Sequence, residues 1–289
     1  MTSTPTSTPA TSAPAAAVTT GQGSAQPLGA GLPVATGEAA RRTALQYLRT
    51  PELLVLPTII GALFLFIFRY VFGGAIGTGT SADYVDYLVP GFLVGVVLWT
   101  GMNAPSGVAE DAASGVHDRL RSLPIPRTAV VAGRSLADTA VLFWTVLVST
   151  GLGVAVGFRT HGSVGEVLAA FGIMLAYAYA FSWVFIGLGL VAPQAQAAQG
   201  IATLVVVPLT FVSSAYVPID SMPGWMQSFA SNQPVTVITN AVRSLMLGDT
   251  SAAGVGHTAG YWVGLSLVWS AAILVVFAGL AVARFTRRR

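Results

Sequence analysis

The densest set of ionisable side chains falls within residues 110–121: Glu110, Asp111, His117, Asp118, Arg119 and Arg121. Acids, a histidine and arginines together are the materials of acid–base catalysis or of a metal site, but their spacing favours neither. Glu110 and Asp111 are adjacent, and adjacent helical residues diverge around the axis, so their carboxylates do not face each other. His117, His161 and His257 sit in three separate loops and the chain has no cysteine, so no ligand set for a metal assembles. No HExxH helix and no GxSxG elbow occurs, which removes two common hydrolytic designs. All 14 basic residues are arginines, and a phosphate-cradling Walker A loop needs a lysine, so a P-loop ATPase is excluded. The pattern does suit recognition. Val116, Leu120 and Leu123 recur at helical spacing and Pro124 ends the run, which predicts a short amphipathic helix shaped for docking a soluble partner. A solvated loop whose charges only set topology is the alternative.

A second polar set lies between residues 218 and 249, where the only charges are Asp220, Arg243 and Asp249. Ile238, Ala241, Val242 and Leu245 make an apolar helical stripe, and Thr236, Thr239, Asn240 and Arg243 a polar one. Two short amphipathic helices fit, around 225–229 and 235–247, with Asn232, Gln233 and Pro234 as the break. They are too short and too polar to cross a bilayer, so a re-entrant or interfacial hairpin is expected. An ordinary loop lying on the headgroups is the alternative.

These sets must be positioned by an apolar framework. Hydrophobic residues make up 54% of the chain and charged residues 9%, far more apolar surface than a water-soluble domain of this length needs, so the fold class expected is all-α and polytopic. Six apolar stretches stand out, at about 53–72, 87–108, 130–157, 167–191, 200–217 and 261–283. Twenty residues at ~1.5 Å each cover a hydrocarbon core of ~30 Å. Pro90 is expected in the first turn of its span, and Pro208 as a kink. Residues 1–37 are rich in Ser, Thr, Pro and Ala with no charge before Glu38, and are expected to be a disordered tail ahead of a membrane domain at 38–289. Residues 38–50 suit a basic interfacial helix carrying Arg41, Arg42 and Arg49. With the N-terminus inside, Arg41, Arg42, Arg49, Arg119, Arg121, Arg127, Arg134, Arg284, Arg287, Arg288 and Arg289 share one side, against Arg159 and Arg243 on the other. That asymmetry places both termini in the cytoplasm. It also explains the net charge of +3 by membrane anchoring, with no need for nucleic acid. Arg69 is expected to snorkel outward, and Asp138 to lie at an interface. The spacings Gly91/Gly95, Gly153/Gly157 and Gly260/Gly264 are candidates for close helix packing.

From about Arg41 onward the chain resembles the permease subunits of ABC-2 type exporters, near the daunorubicin/doxorubicin-resistance branch. One stretch that carries the likeness holds Glu110, Gly115, Leu120, Leu123, Pro124, Arg127 and Gly133; the other is FVSSAYVPIDSMPGW from Phe211 to Trp225, followed by Asn232 to Thr236 and Arg243 to Leu245. The resemblance implies a separate ATP-binding subunit that holds ATP and magnesium, none being bound by this chain, and a working unit of two permeases and two ATPases. It implies a coupling helix in which Glu110, Asp111, Gly115, His117, Asp118, Arg119, Leu120 and Arg121 contact the ATPase. It also implies a smaller cytoplasmic contact in the short loop 192–199, and an extracellular gate in the hairpin bearing Pro218, Trp225, Pro234 and Arg243.

The spans offer aromatic, apolar and hydroxyl surface with almost no charge. A hydrophobic or amphipathic cargo, such as a drug-like natural product, suits them better than an inorganic ion. A lipid-linked glycan or lipid is the nearest alternative. An ion-coupled carrier is the more distant one, since the spans show few acids for it. A membrane-embedded enzyme would need a polar cluster that these residues do not assemble.

Overall fold

The computed structural model describes residues 32–50, 52–72, 84–113, 127–248 and 255–287. All regular structure among them is helical: α1 (Leu32–Arg49), α2 (Glu52–Ile67) running into a π-helical turn (Phe68–Phe72), α3 (Tyr84–Gly101), α4 (Ala104–Ala113), α5 (Arg127–Ala155), α6 (Val164–Val191), α7 (Ala195–Phe211), a 3-10 turn (Ile219–Ser221), α8 (Gly224–Asn232), α9 (Pro234–Leu247) and α10 (Ala259–Arg287). Of the expected coupling residues, Gly115, His117, Asp118, Arg119, Leu120 and Arg121 lie outside the described residues, as does the tail before residue 32.

Local chemistry accounts for many of the boundaries. Ser163 caps α6 and Glu166 returns the bond to the Ser163 backbone, a complete capping box that satisfies two otherwise orphan amides. Gln233 caps α9, Pro234 fills its first turn, and Gly248 ends it with φ +70°, a left-handed conformation that costs glycine nothing.

Four helical stretches among the described residues are long and apolar enough to cross a membrane: Tyr84–Asp111, Val131–Ala155, Val164–Val191 and Ala259–Arg284. Two shorter apolar helices, Thr58–Phe72 and Ala195–Phe211, occupy the first and fifth expected spans. Within the most apolar window, 89% of the Tyr84–Asp111 stretch is buried and 17% of the Ala259–Arg284 stretch. Helix α3 is therefore the axis of the bundle and α10 a peripheral rib. The exposed side chains of α2 and α10, among them Leu56, Leu63, Val268, Val275 and Leu280, form the large apolar surface that a bilayer, and not water, accommodates.

Several expectations need correction. Helix α1 starts at Leu32, so residues 32–37 belong to it and not to the tail; it packs along α5, and a Cβ at Gly133 would press on Ala39 and the Thr36 backbone. Pro90 falls in the second turn of α3, because the helix begins at Tyr84. The second span is two helices with a break at Met102 and Asn103. Pro105 explains it, having no N–H for the Gly101 carbonyl and a ring that crowds it. The fifth span ends at Phe211, where the Val212 amide closes on the Pro208 carbonyl. Residues 212–217 are non-helical, yet Ser213, Ser214, Ala215 and Tyr216 are buried. Residues 195–199 are the start of α7 and not loop. Of the glycine pairs, Gly91/Gly95 is tight, with Gly91 against the Ala215 backbone and Gly95 against the Tyr216 ring, while Gly260 and Gly264 meet nothing.

Candidate functional site: two polar clusters and an aromatic cavity

Helices α3–α4 and α5 run antiparallel. Asp111 at the end of α4 meets Arg134 at the start of α5, and Asp86 at the start of α3 meets the Arg159 amide just past α5. The two polar clusters therefore occupy opposite ends of the bundle.

At the first end, Asp111 bridges two helices. Its Oδ2 accepts from Arg134 Nη1 at 2.8 Å and its Oδ1 from Arg42 Nη2 at 3.0 Å. Arg134 also donates to the Ala104 carbonyl at 3.3 Å, so a single guanidinium holds both ends of α4. Its Nε lies 3.6 Å from Asp138 Oδ2, and Asp138 Oδ1 accepts from the Tyr47 hydroxyl at 2.9 Å. Burial, then the Asp138 charge, hold the Tyr47 phenol well above the ordinary tyrosine value, so it stays a donor. Glu110 points to solvent. Asp138 was expected at an interface, but α1 covers it to 2% exposure. Together with buried Asp86 it qualifies the expectation that the spans lack buried acids. The Arg134–Asp138 pair was legible as an i, i+4 match; its link to Asp111 and α1 was not.

At the other end, two short helices, Gly224–Asn232 and Pro234–Leu247, form where the pattern predicts them. Its depth is the surprise. Every residue from Val235 to Leu247 is buried, including the stripe of Thr236, Thr239, Asn240 and Arg243. Arg243 is 1% exposed. Its Nε and Nη2 donate to the Tyr87 carbonyl at 3.1 and 3.0 Å, Nη2 to the Ser214 carbonyl at 2.9 Å, and Nη1 to Asn240 Oδ1 at 3.3 Å. The guanidinium lies 3.7 Å from the Tyr87 ring centre, a desolvated cation–π contact. Gln233 ties the hairpin elbow to the Leu209 and Val212 carbonyls at 3.0 and 3.2 Å, supplying donors where α7 has ended. Among the other expected gate residues, Pro218 precedes the 3-10 turn, Pro234 opens α9 and Trp225 is 79% exposed. Pro218 and Arg243 line one cleft of about 360 Å³ with Asp220, His257 and Trp262, which Trp225 and Pro234 do not join.

Between the clusters, α2, α3, α7 and residue 216 flank a partly open cavity of about 230 Å³ lined by Phe64, Phe92, Trp99 and Tyr216, with the amides of Asn103 and Gln199 among its polar groups. The aromatic wall is braced ring on ring: Phe64 to Trp99 at 5.8 Å, Trp99 edge-on to Phe211 at 6.2 Å and Phe68 stacked on Tyr216 at 5.1 Å. An apolar, preformed hollow with a few convergent polar groups is the usual form of a small-molecule site. Among the described residues no group of acids and histidines could hold a metal.

The model of the ABC-2 type transporter family matches residues 36–247. The chain is 34% identical over 242 residues to a daunorubicin resistance ABC transporter permease protein of Streptomyces coeruleorubidus, covering 83% of this chain and 81% of that one. It is 27% identical over 226 residues to a probable doxorubicin resistance ABC transporter permease protein of Mycobacterium tuberculosis, covering 76% and 79%. An inner membrane transport permease of Escherichia coli is 25% identical over 202 residues, covering 68% and 76%.

Proposed function

The chain belongs to the ABC-2 type transporter family, and on that premise we propose that it is the permease half of an ATP-driven exporter for hydrophobic or amphipathic compounds of the antibiotic class. The aromatic cavity between α2, α3 and α7 carries this reading. Its braced rings offer flat faces to a planar cargo, and Asn103 and Gln199 offer donors and acceptors to orient it. The names of the relatives, resistance permeases for daunorubicin and doxorubicin, support the same class.

In this proposal the chain crosses the cell membrane six times with both termini in the cytoplasm. ATP and magnesium sit in a separate subunit, and two copies of each subunit make the working unit. The segment after Asp111 docks on the ATPase. Force on that elbow reaches α5 through Arg134 and α1 through Arg42, because Asp111 is bonded to both. The hairpin at the far end gates release, and Arg243 makes it move with α3. ATP binding shifts the population between inward- and outward-open states, and no chemistry is done on the cargo.

The test is reconstitution with the partner ATPase in proteoliposomes loaded with a fluorescent anthracycline. ATP-dependent transport is expected, with Trp99→Ala raising the apparent KM about tenfold, equivalent to a lost stacking contact of about 1–1.5 kcal/mol. Transport driven by an ion gradient without ATP would sink the proposal. ATP-dependent movement of a lipid-linked glycan, with no movement of the drug, would replace the cargo class. Labelling of position 121 from the medium in intact cells would overturn the orientation.

A further inference from the structure

Beside the joint between α3 and α4 lies a small void of about 10 Å³ whose lining residues include Thr100, Gly101, Asp138, Ser182 and Phe185. That is the space one water molecule occupies. Two of these lining residues each carry an oxygen without a hydrogen bond: Thr100 Oγ1 and Asp138 Oδ2 are buried and make none, in residues that are 5% and 2% exposed. The other Asp138 oxygen is taken by Tyr47 at 2.9 Å. Arg134 Nε lies 3.6 Å from Oδ2, too far for a hydrogen bond, and is itself without an acceptor. The ion pair with Arg134 offsets part of the carboxylate's desolvation, but neither oxygen has a hydrogen bond, and native interiors meet such groups with protein or with ordered water.

We propose that this void holds one ordered water that bridges Thr100 Oγ1 and Asp138 Oδ2, joining α3 to α5 through solvent. A metal cation of similar size is disfavoured, because the Arg134 guanidinium already stands beside the carboxylate. The position has a mechanical consequence. Thr100 lies in the last turn of α3, while Arg134 grips α4 at the Ala104 carbonyl just past the break. The water lets the broken helix flex at residues 102 and 103 without breaking a direct side-chain bond, since it can change partners as the joint opens. Asn103 lines both this void and the aromatic cavity, so flexing at the joint reshapes the cavity wall.

Two measurements test it. In a structure of the permease with its ATPase in a lipid nanodisc, at a resolution that shows ordered water, a density peak is expected within about 2.6–3.2 Å of both oxygens. An empty void, or a Thr100 rotamer bonded straight to Asp138, overturns the proposal. Independently, Thr100→Val separates a bridged hydroxyl from an orphaned one. If a water is bound, valine leaves it short of a partner and the melting midpoint falls by about 2–4 °C, while Thr100→Ser keeps the wild-type midpoint. If the void is dry, valine removes an unsatisfied group and the midpoint holds or rises, which sinks the idea.

Discussion

At the Asp111 end of the bundle Arg134 meets two carboxylates; at the Arg243 end a guanidinium that is deeper still meets no carboxylate among the described residues, only carbonyls, an amide oxygen and a ring face. The difference teaches what each end is built to do. The pair between Arg42, 48% exposed, and Asp111, 19% exposed, can be remade in a new register as the helices slide, since water stands ready to receive those two charges. Backbone carbonyls cannot turn without moving their own helices. Arg243 therefore welds α9 to the start of α3 and to residue 214, whereas the Arg42–Asp111 pair is a joint whose contact can be exchanged.

Removing Arg243 should break the comparison most visibly. Arg243→Met removes every guanidinium bond to the Tyr87 and Ser214 carbonyls and to Asn240, leaving the Ser214 carbonyl the Tyr87 hydroxyl and Asn240 the Ser214 hydroxyl, a loss of about 4 kcal/mol from several charge-assisted bonds. Loss of the monodisperse species in detergent is expected, and Arg243→Lys should not restore it, because one ammonium cannot match the fork that spans both carbonyls. A well-folded Arg243→Met protein would show that the weld is dispensable.

Close packing at the same end comes next. A Cβ on Gly91 would overlap the Ala215 carbonyl, backbone on backbone, while Gly264 has nothing near it. Gly91→Ala should cost about 1–3 kcal/mol, read as a lower melting midpoint; Gly264→Ala should leave it unchanged or raise it slightly. Equal effects would mean that α3 does not press on residues 213–216.

At the exchangeable end the effects should be smaller in stability and larger in coupling. Asp111→Asn leaves Arg134 with Asp138 alone and is expected to cost about 1–2 kcal/mol. In reconstituted complexes the ratio of cargo moved to ATP hydrolysed should drop severalfold while hydrolysis continues. Loss of transport and hydrolysis together would argue for collapse of the fold over loss of transmission. Smallest of all, Arg42→Ala should change the melting midpoint by no more than a half-exposed ion pair is worth, about 0.2–1 kcal/mol, and added salt should erase that difference.

Much of the framework was legible because it depends on near neighbours. The Ser163/Glu166 capping box, the break at Gln233 and Pro234, and the glycine stop at 248 are written in three- and four-residue patterns. The hairpin helices followed from the same grammar. Pro105 was also legible and is the signal that would have found the break in α3–α4. What could not be seen was which polar stripe faces inward. Thr236, Thr239, Asn240 and Arg243 lie on one side of a helix in sequence terms, and a polar stripe ordinarily faces water or headgroups. Nothing near them says that the Tyr87 carbonyl, 156 residues away, would receive the charge.

The amino-acid order alone thus determined that this chain lives in a bilayer, where its apolar helices lie, and which turns stop them, because transfer energies and caps are sums over local groups. The tertiary structure alone decided that Arg243 is buried, that Asp138 is covered by α1, and that residues 212–217 abandon the helix their hydropathy favours. Burying a charge or an unpaired carbonyl is tolerable only when distant partners arrive in register, and that register is a property of the packed bundle.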